Sequence, residues 1–289
     1  MTVSETLDEQ TVEELLLPVL DHLSKGDFDI PLLPHVANQV LLLANDPEGN
    51  SIRLSAVIEQ DQVLASRVLQ LANCAAYGPR YPIETLPQAI SWLGMSFLAG
   101  TAFSFSVQTG VFKVDGYEDE VQELWAYTMA VALYAKFIAG RLGKNQDNAF
   151  LFGLLHAIGK PYVIHTVTHY QQTSKVHHPW AVLDRVIQES YVEAGRQLAV
   201  AWELPEPVKE AICLHQDCAF EQAKIPDKGA AITCLARHMA GKTFGQESVD
   251  ANKLRTLPIG RFLGITQEDV SALLDSQEYI RATVDLMLV

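Results

Sequence analysis

The histidines offer the first chemistry. His156 lies in "LFGLLHAIGK" (residues 151–160), an apolar stretch where a carboxylate next to the imidazole would make a short, strong metal-binding pair. Position 157 is Ala, so the stretch reads like a metal-site helix from which one ligand has been removed. His215 lies in "CLHQDC" (213–218) between Cys213 and Cys218, a spacing that invites zinc. A structural zinc site needs four ligands, and no second pair at suitable spacing accompanies these three, so the cysteines read as small buried hydrophobes. A lone His on an apolar helix is ordinarily a hydrogen-bonded core residue, and neither imidazole makes a site by itself. Neither a GxSxG turn nor a GxxxxGK[ST] or GxGxxG loop after a strand occurs, which disfavours nucleophile-elbow hydrolases and phosphate-cradling folds.

Charge narrows the partners. The 289 residues carry a formal net charge of −14, and no run of Lys or Arg offsets it locally. Phosphate backbones and anionic membranes would be repelled, so nucleic acid and membrane are not expected partners. The four cysteines form no CxxC pair, the opening "MTVSETLDEQ" is acidic and lacks the apolar core of a signal peptide, and no stretch reaches the about 20 apolar residues of a membrane span. A cytoplasmic protein with reduced thiols is the expectation. At 48% hydrophobic residues the chain can bury a substantial core.

The elements that must carry these residues read as helices almost throughout, with no sustained period-2 alternation, so an all-α fold is expected. "TVEELLLPVLDHLSKG" begins with Thr11 and Glu14 at capping-box spacing and contains Pro18, and "PLLPHVANQVLLLANDP" starts a helix at Pro34. Ser51 and Asp61 are expected N-caps of the next two, and Gly94 separates "TLPQAISWLG" from "MSFLAGTAFSFSVQTGVF". The polar stretch 113–120 around Gly116 is the best boundary. Beyond it a long helix closes at Gly143, and another runs from an Asp147 cap to Gly159, read as a helix C-cap with Lys160 complementing the dipole. "GKPYVIHTVTHY" reads as a turn, and "HPWAVLDRVIQES" and "YVEAGRQLAVAWELP" as a pair of helices. "EPVKEAICLHQD", "DKGAAITCLARHMAG" and a helical tail after Thr266 follow. Asn73 is expected to satisfy backbone groups at a helix end, and Trp92, Trp125, Trp180 and Trp202 to lie in the core.

Taken in order, "LLPHVANQVLLLANDP", "VIEQDQVLASRVLQLANCAAYG", "IETLPQAISWLGMSFLAG", "ELWAYTMAVALYAKFIAGRLG", "AFLFGLLHAIGK" and "AGRQLAVAWELPEPVKEAICLHQ" resemble the HDOD domain. This bacterial helical module is related to HD-type metal-dependent phosphohydrolases, and the resemblance spans roughly residues 28–242. It implies a two-lobed helical, HD-domain-like architecture: an extension at 1–27, an HDOD lobe at 28–115, a degenerate HD-like lobe at 116–242, and an extension at 243–289 packed on that lobe. Asp61, Asn73, Gly94 and Gly159 fall on the family's structural signature.

Active HD enzymes hold divalent metals through His residues and a His–Asp pair. Carried over position by position, that site is His156 and Ala157 at the doublet, Tyr127 and Tyr191 at two further His positions, His215–Gln216 at a His–His pair, and Arg237 at the closing Asp. Only two imidazoles survive, and the expectation is a vestigial site with no catalytic residue, no metal and no cofactor. The resemblance implies a non-catalytic regulator that works by protein–protein contact in bacterial signalling, acting in trans because no receiver, cyclase or phosphodiesterase domain is attached. Two alternatives stand beside it. One is a residual metal-dependent phosphohydrolase of a nucleotide or phosphoester with replacement ligands such as His165 or His169. The other is a small-ligand sensor using the former active-site cleft.

Overall fold

The first turn of each helix shows how the local sequence sets the elements. The structure, a computed structural model, describes residues 9–25, 35–45, 50–74, 77–110, 116–216, 228–245 and 253–287. Among the described residues it contains helices and no strand. Helix α1 (Glu9–Lys25) carries Pro18 inside it and starts ahead of Thr11, which therefore is not its cap. Its buried face is Val12, Leu15 and Val19. Helix α2 (His35–Asn45) begins directly after Pro34. Asn50, not Ser51, caps α3 (Ser51–Ile58) by accepting from the Arg53 N–H. Asp61 caps α4 (Gln62–Ala72), its Oδ1 accepting from Val63 N and Leu64 N at 3.0 Å each. Thr85 and Gln88 close a capping box on α5 (Leu86–Leu93). Gly94, at φ +88°, then turns the chain into α6 (Met95–Gly110), a backbone conformation that favours glycine.

The 24-residue α7 (Glu118–Arg141) is the hub of the later helices, buried from Trp125 through Ala135. Packing on it are α8 (Gln146–Leu155), α12 (Lys228–Phe244), α14 (Gln267–Asp275) and α15 (Gln277–Met287). Close approach of α7 and α8 depends on Gly153: a Cβ there would meet the Ala132 backbone at 2.6 Å. Asn145, not Asp147, caps α8. Arg141, in the last turn of α7, binds Asp269 (2.9 Å) and Glu268 (3.1 Å), while Asp269 also closes the capping box of α14.

Two segments differ from their sequence reading. Residues 159–174 are not a turn but a 16-residue helix, α9 (Gly159–Ser174). Pro161 sits in its first turn, where a missing N–H leaves no bond unmade. The pair read at 178–205 is one 22-residue helix, α10 (Trp180–Ala201). Helix α11 (Glu206–Leu214) follows, and α13 (Pro258–Leu263), which the sequence reading missed, lies beside α12. Helix α1 packs on α10 and α9, so the first and last helices of the chain both return to the α7–α12 group.

Helices α2 to α6 pack on one another and are joined to the rest through α6 and α8. Phe97 of α6 meets Phe150 of α8 edge-on at 5.2 Å, and Lys136 of α7 places its Nζ 3.9 Å over the Phe97 ring. Asn73 fastens the α4 end to the chain before α5. Its amide donates to Leu69 O and Ile83 O, and its carbonyl accepts from Ile83 N, all within 2.8 Å. Of the tryptophans expected in the core, Trp125 and Trp202 are buried, but Trp92 is half exposed and Trp180 lines a cleft. Cys74 and Cys213 are free thiols, and Cys234 is buried in α12. Cys218 lies outside the described residues, as do Pro34, residues 113–115 of the boundary stretch and residues 217–227. No single helix among the described residues is long and apolar enough to cross a membrane.

Candidate functional site

Five helices bring the carried-over positions together. His156 is the C-cap of α8 and His215 the C-cap of α11, so both imidazoles hang from helix ends whose last carbonyls lack intrahelical partners. Each ring satisfies such carbonyls: His156 Nδ1 lies 2.7 Å from Gly153 O, and His215 Nδ1 lies 2.7 Å from Ile212 O and 3.1 Å from Ala211 O. The two rings stand edge to face with centroids 5.0 Å apart. Tyr191 of α10 approaches His215, Tyr127 of α7 approaches His156, and Arg237 comes from α12.

The hydrogen bonds assign the protons. A carbonyl can only accept, so both Nδ1 atoms carry hydrogen and the Nε2 atoms are bare. The Tyr191 hydroxyl therefore donates to His215 Nε2 at 2.9 Å and itself accepts from the Gln216 amide. The Arg237 guanidinium donates to His215 O at 3.1 Å, and the Tyr127 hydroxyl donates to Arg237 O at 3.2 Å. Burial, and then the Arg237 charge, push His215 down to about 3. His156 is pushed well below the ordinary imidazole value by burial, by His215 and by Arg237. Both rings are neutral at physiological pH. Burial raises the Tyr127 and Tyr191 phenols, so both remain protonated donors.

The donor set does not fit a divalent cation. Neutral His215 has its one free lone pair engaged by Tyr191, Ala157 offers no donor, and the Arg237 guanidinium bonds to the His215 carbonyl. Among the described residues no carboxylate joins the two imidazoles to supply the compensating charge that hard cations require. Among the described residues no three of His, Cys, Asp and Glu gather into a metal-holding group. His165 and His169 are exposed on α9, whereas His156 and His215 are buried. Cys213 is half-buried beside Arg196 and Glu193, and His215 is engaged with Tyr191. Ala157 lines a small void with Leu124, Trp125, Thr128, Leu154, Ile158 and Pro161.

Beside Tyr127 opens a cleft of about 270 Å³ between α7, α9 and α10. Its apolar wall is Leu124, Ile164, Trp180 and Ile187, and its carboxylates are Glu120, Glu123 and Asp184. Lys160 belongs to it, and the sequence reading misassigned this residue. Because Gly159 opens α9 rather than closing α8, Lys160 lies at the positive end of a helix dipole, not the negative end. The signal was present in Pro161, which marks a first helical turn as readily as a stop. Gly159 has a packing role instead: a Cβ there would meet Tyr191 O at 1.9 Å and Gly195 N at 2.5 Å, so glycine lets α9 rest on the α10 backbone. That crossing sets Lys160 with its Nζ 4.8 Å over the Tyr191 ring.

Comparison with known proteins bears on the fold. A candidate metal-dependent phosphohydrolase of Shewanella amazonensis SB2B superposes with a TM-score of 0.73 at 21% identity, covering 95% of this chain and 99% of that one. A candidate signal transduction protein of Marinobacter aquaeolei VT8 superposes at 0.68 with 20% identity, covering 98% and 67%. At those identities the likeness shows the fold. An uncharacterized protein of Treponema pallidum (strain Nichols) is 26% identical over 199 residues, and the match spans 38% of that relative's length. The family model of the HDOD domain matches residues 30–218, well over half of the sequence, and the chain belongs to the HDOD family.

Proposed function

We propose that the chain is a non-catalytic regulator of bacterial signalling that acts through protein contacts in the cytoplasm. The observation that carries this reading is the closed chain of hydrogen bonds from Gln216 through Tyr191 to His215, with Arg237 fixed on the His215 carbonyl. These bonds engage groups that an HD phosphohydrolase would present to metal, and the guanidinium supplies the positive charge the ions would have brought. The fold shared with the Marinobacter signal transduction protein is in keeping with a signalling role. The likeness to the Shewanella phosphohydrolase supports the rival reading, a residual hydrolase, only at the level of fold.

The test is elemental analysis of protein purified without chelators, with turnover of bis-p-nitrophenyl phosphate in Mg²⁺, Mn²⁺ and Fe²⁺. Substoichiometric metal and no metal-dependent turnover are expected. Turnover that disappears in His156→Ala would overturn the reading. A second reading, a small-ligand sensor, is favoured by one feature: the cleft beside Tyr127 is open and organic-walled although the imidazoles behind it are sealed.

A further inference from the structure

We propose that the Lys160 amine is a covalent capture site for small uncharged aldehydes or ketones, held as an imine in the cleft between α7, α9 and α10. The inference rests on the cleft being a ligand site and is independent of the regulator reading.

The first support is that this amine has no partner. Lys160 lines the cleft, and among the described residues its Nζ makes no hydrogen bond and no ion pair within 4 Å. A half-buried lysine is ordinarily tied to a carboxylate or extended to water. Here the nearest defined contact is the face of the Tyr191 ring. Asp184 acts on the amine only at longer range.

The second support is the surroundings. Every element packed around Lys160 contributes charge or a titratable group. Glu120, Glu123 and Tyr127 come from α7, Asp184 and Tyr191 from α10, Arg237 from α12, and the neutral imidazoles His156 and His215 from α8 and α11. Burial first, and the Arg237 charge second, bring the amine down to about 8, against the opposing pull of Asp184. At pH 7 roughly a tenth of such an amine is neutral and nucleophilic, compared with roughly one part in 3,000 of an ordinary lysine. Lys136 is also desolvated, but its Nζ lies against the Phe97 ring rather than in a cleft.

The ligand class follows from the walls. Glu120, Glu123 and Asp184 repel phosphates and carboxylates, which disfavours keto acids and phosphorylated aldehydes. Leu124, Ile164, Trp180 and Ile187 accept an apolar body. In the capture step the neutral Nζ lone pair forms a bond to the carbonyl carbon while the C=O π pair moves to oxygen. That oxygen gains the proton the nitrogen gives up. Loss of water from the carbinolamine leaves the C=N bond, and hydrolysis runs the sequence backward, so no oxidant or reductant enters.

The experiment is incubation of the full chain with benzaldehyde, trapping by sodium cyanoborohydride, and peptide mapping between pH 6 and 9. Glyoxylate serves as the anionic comparison, and benzyl alcohol as a probe of the same shape without a carbonyl. The benzaldehyde adduct on Lys160 is expected to exceed that on any other lysine at least tenfold at pH 7. It should rise with a midpoint near pH 8, exceed the glyoxylate adduct, and vanish in Lys160→Arg. Adducts spread across the lysines according to exposure would overturn the proposal, and the wild-type map decides this even if Lys160→Arg fails to fold. Benzyl alcohol raising the melting temperature in the absence of any Lys160 adduct would overturn covalent capture while leaving the ligand site standing. No adduct and no thermal shift would overturn both.

Discussion

At His215 the folded protein and the unfolded chain hold a proton with different strength. The unfolded imidazole titrates near 6.5 and the folded one at about 3, so between those values the unfolded chain binds more protons. The stability due to the neutral ring is therefore complete above about pH 6.5 and is lost progressively as pH falls toward 3. His156 is shifted in the same direction. Each imidazole gives a slope of at most about 1.4 kcal/mol per pH unit in that window. Urea midpoints measured from pH 7 to pH 4 should fall, and His215→Gln should flatten the slope by about one proton. An unchanged slope would mean that His215 is protonated in the folded state. Ala157→Asp tests the missing ligand. The new carboxylate would not reach open water, because Ala157 is buried and lines a void walled by Leu124, Trp125, Thr128, Leu154, Ile158 and Pro161. It should instead sit as a buried carboxyl that destabilises the fold by several kcal/mol and gains no metal, since Tyr191 still engages His215. Thermal melts and elemental analysis of the variant check both halves, and stoichiometric manganese, iron or zinc would refute the second.

Between elements, the decisive feature is the α9–α10 crossing, where Gly159 lies against the backbone of Tyr191 and Gly195. Gly159→Ala would force two helices apart, and overpacking of that kind costs about 1–3 kcal/mol or more. Gly143→Ala, at φ +61° in open space, should cost only about 1 kcal/mol and serves as the control. Equal melting temperatures for the two variants would show that the crossing gives way easily. This crossing was not legible beforehand. The apolar spacing in α4, the Asp61 cap and the Gly94 break could be read from sequence because each acts within one helical turn. Helix α9 reads as a turn in the sequence because Pro161 marks a stop as readily as a first helical turn, and the β-branched and polar residues after it do not decide between the two without the packing on α10. The same limit applied to the site. His156 and His215 stood out as residue types, while Lys160 gained its significance from which helix it begins.

Across the described helices, α2 to α6 and α7 to α12 share one apolar core, and α6 meets α8 through an aromatic contact. Phe150, 1% exposed, stands edge-on to Phe97, which in turn lies beneath the Lys136 ammonium. Gly100 leaves room for it, since a Cβ there would meet the Phe150 ring at 2.8 Å. Helix α1 packs on α9 and α10, and α14 and α15 pack on α7, while the first group meets the second through α6 and α8, with Tyr77 also engaging Tyr279 of α15. Phe150→Ala removes a fully buried ring, which costs about 3–5 kcal/mol, and it also removes the edge contact on the Phe97 ring that Lys136 covers. Cooperativity should fail along with stability. The wild type is expected to unfold in one transition, with calorimetric and van't Hoff enthalpies equal, whereas the variant should show a calorimetric enthalpy exceeding the van't Hoff value as α2 to α6 melt first. A single transition merely displaced to lower temperature would show that other contacts couple the two groups, and that Phe150 contributes packing alone.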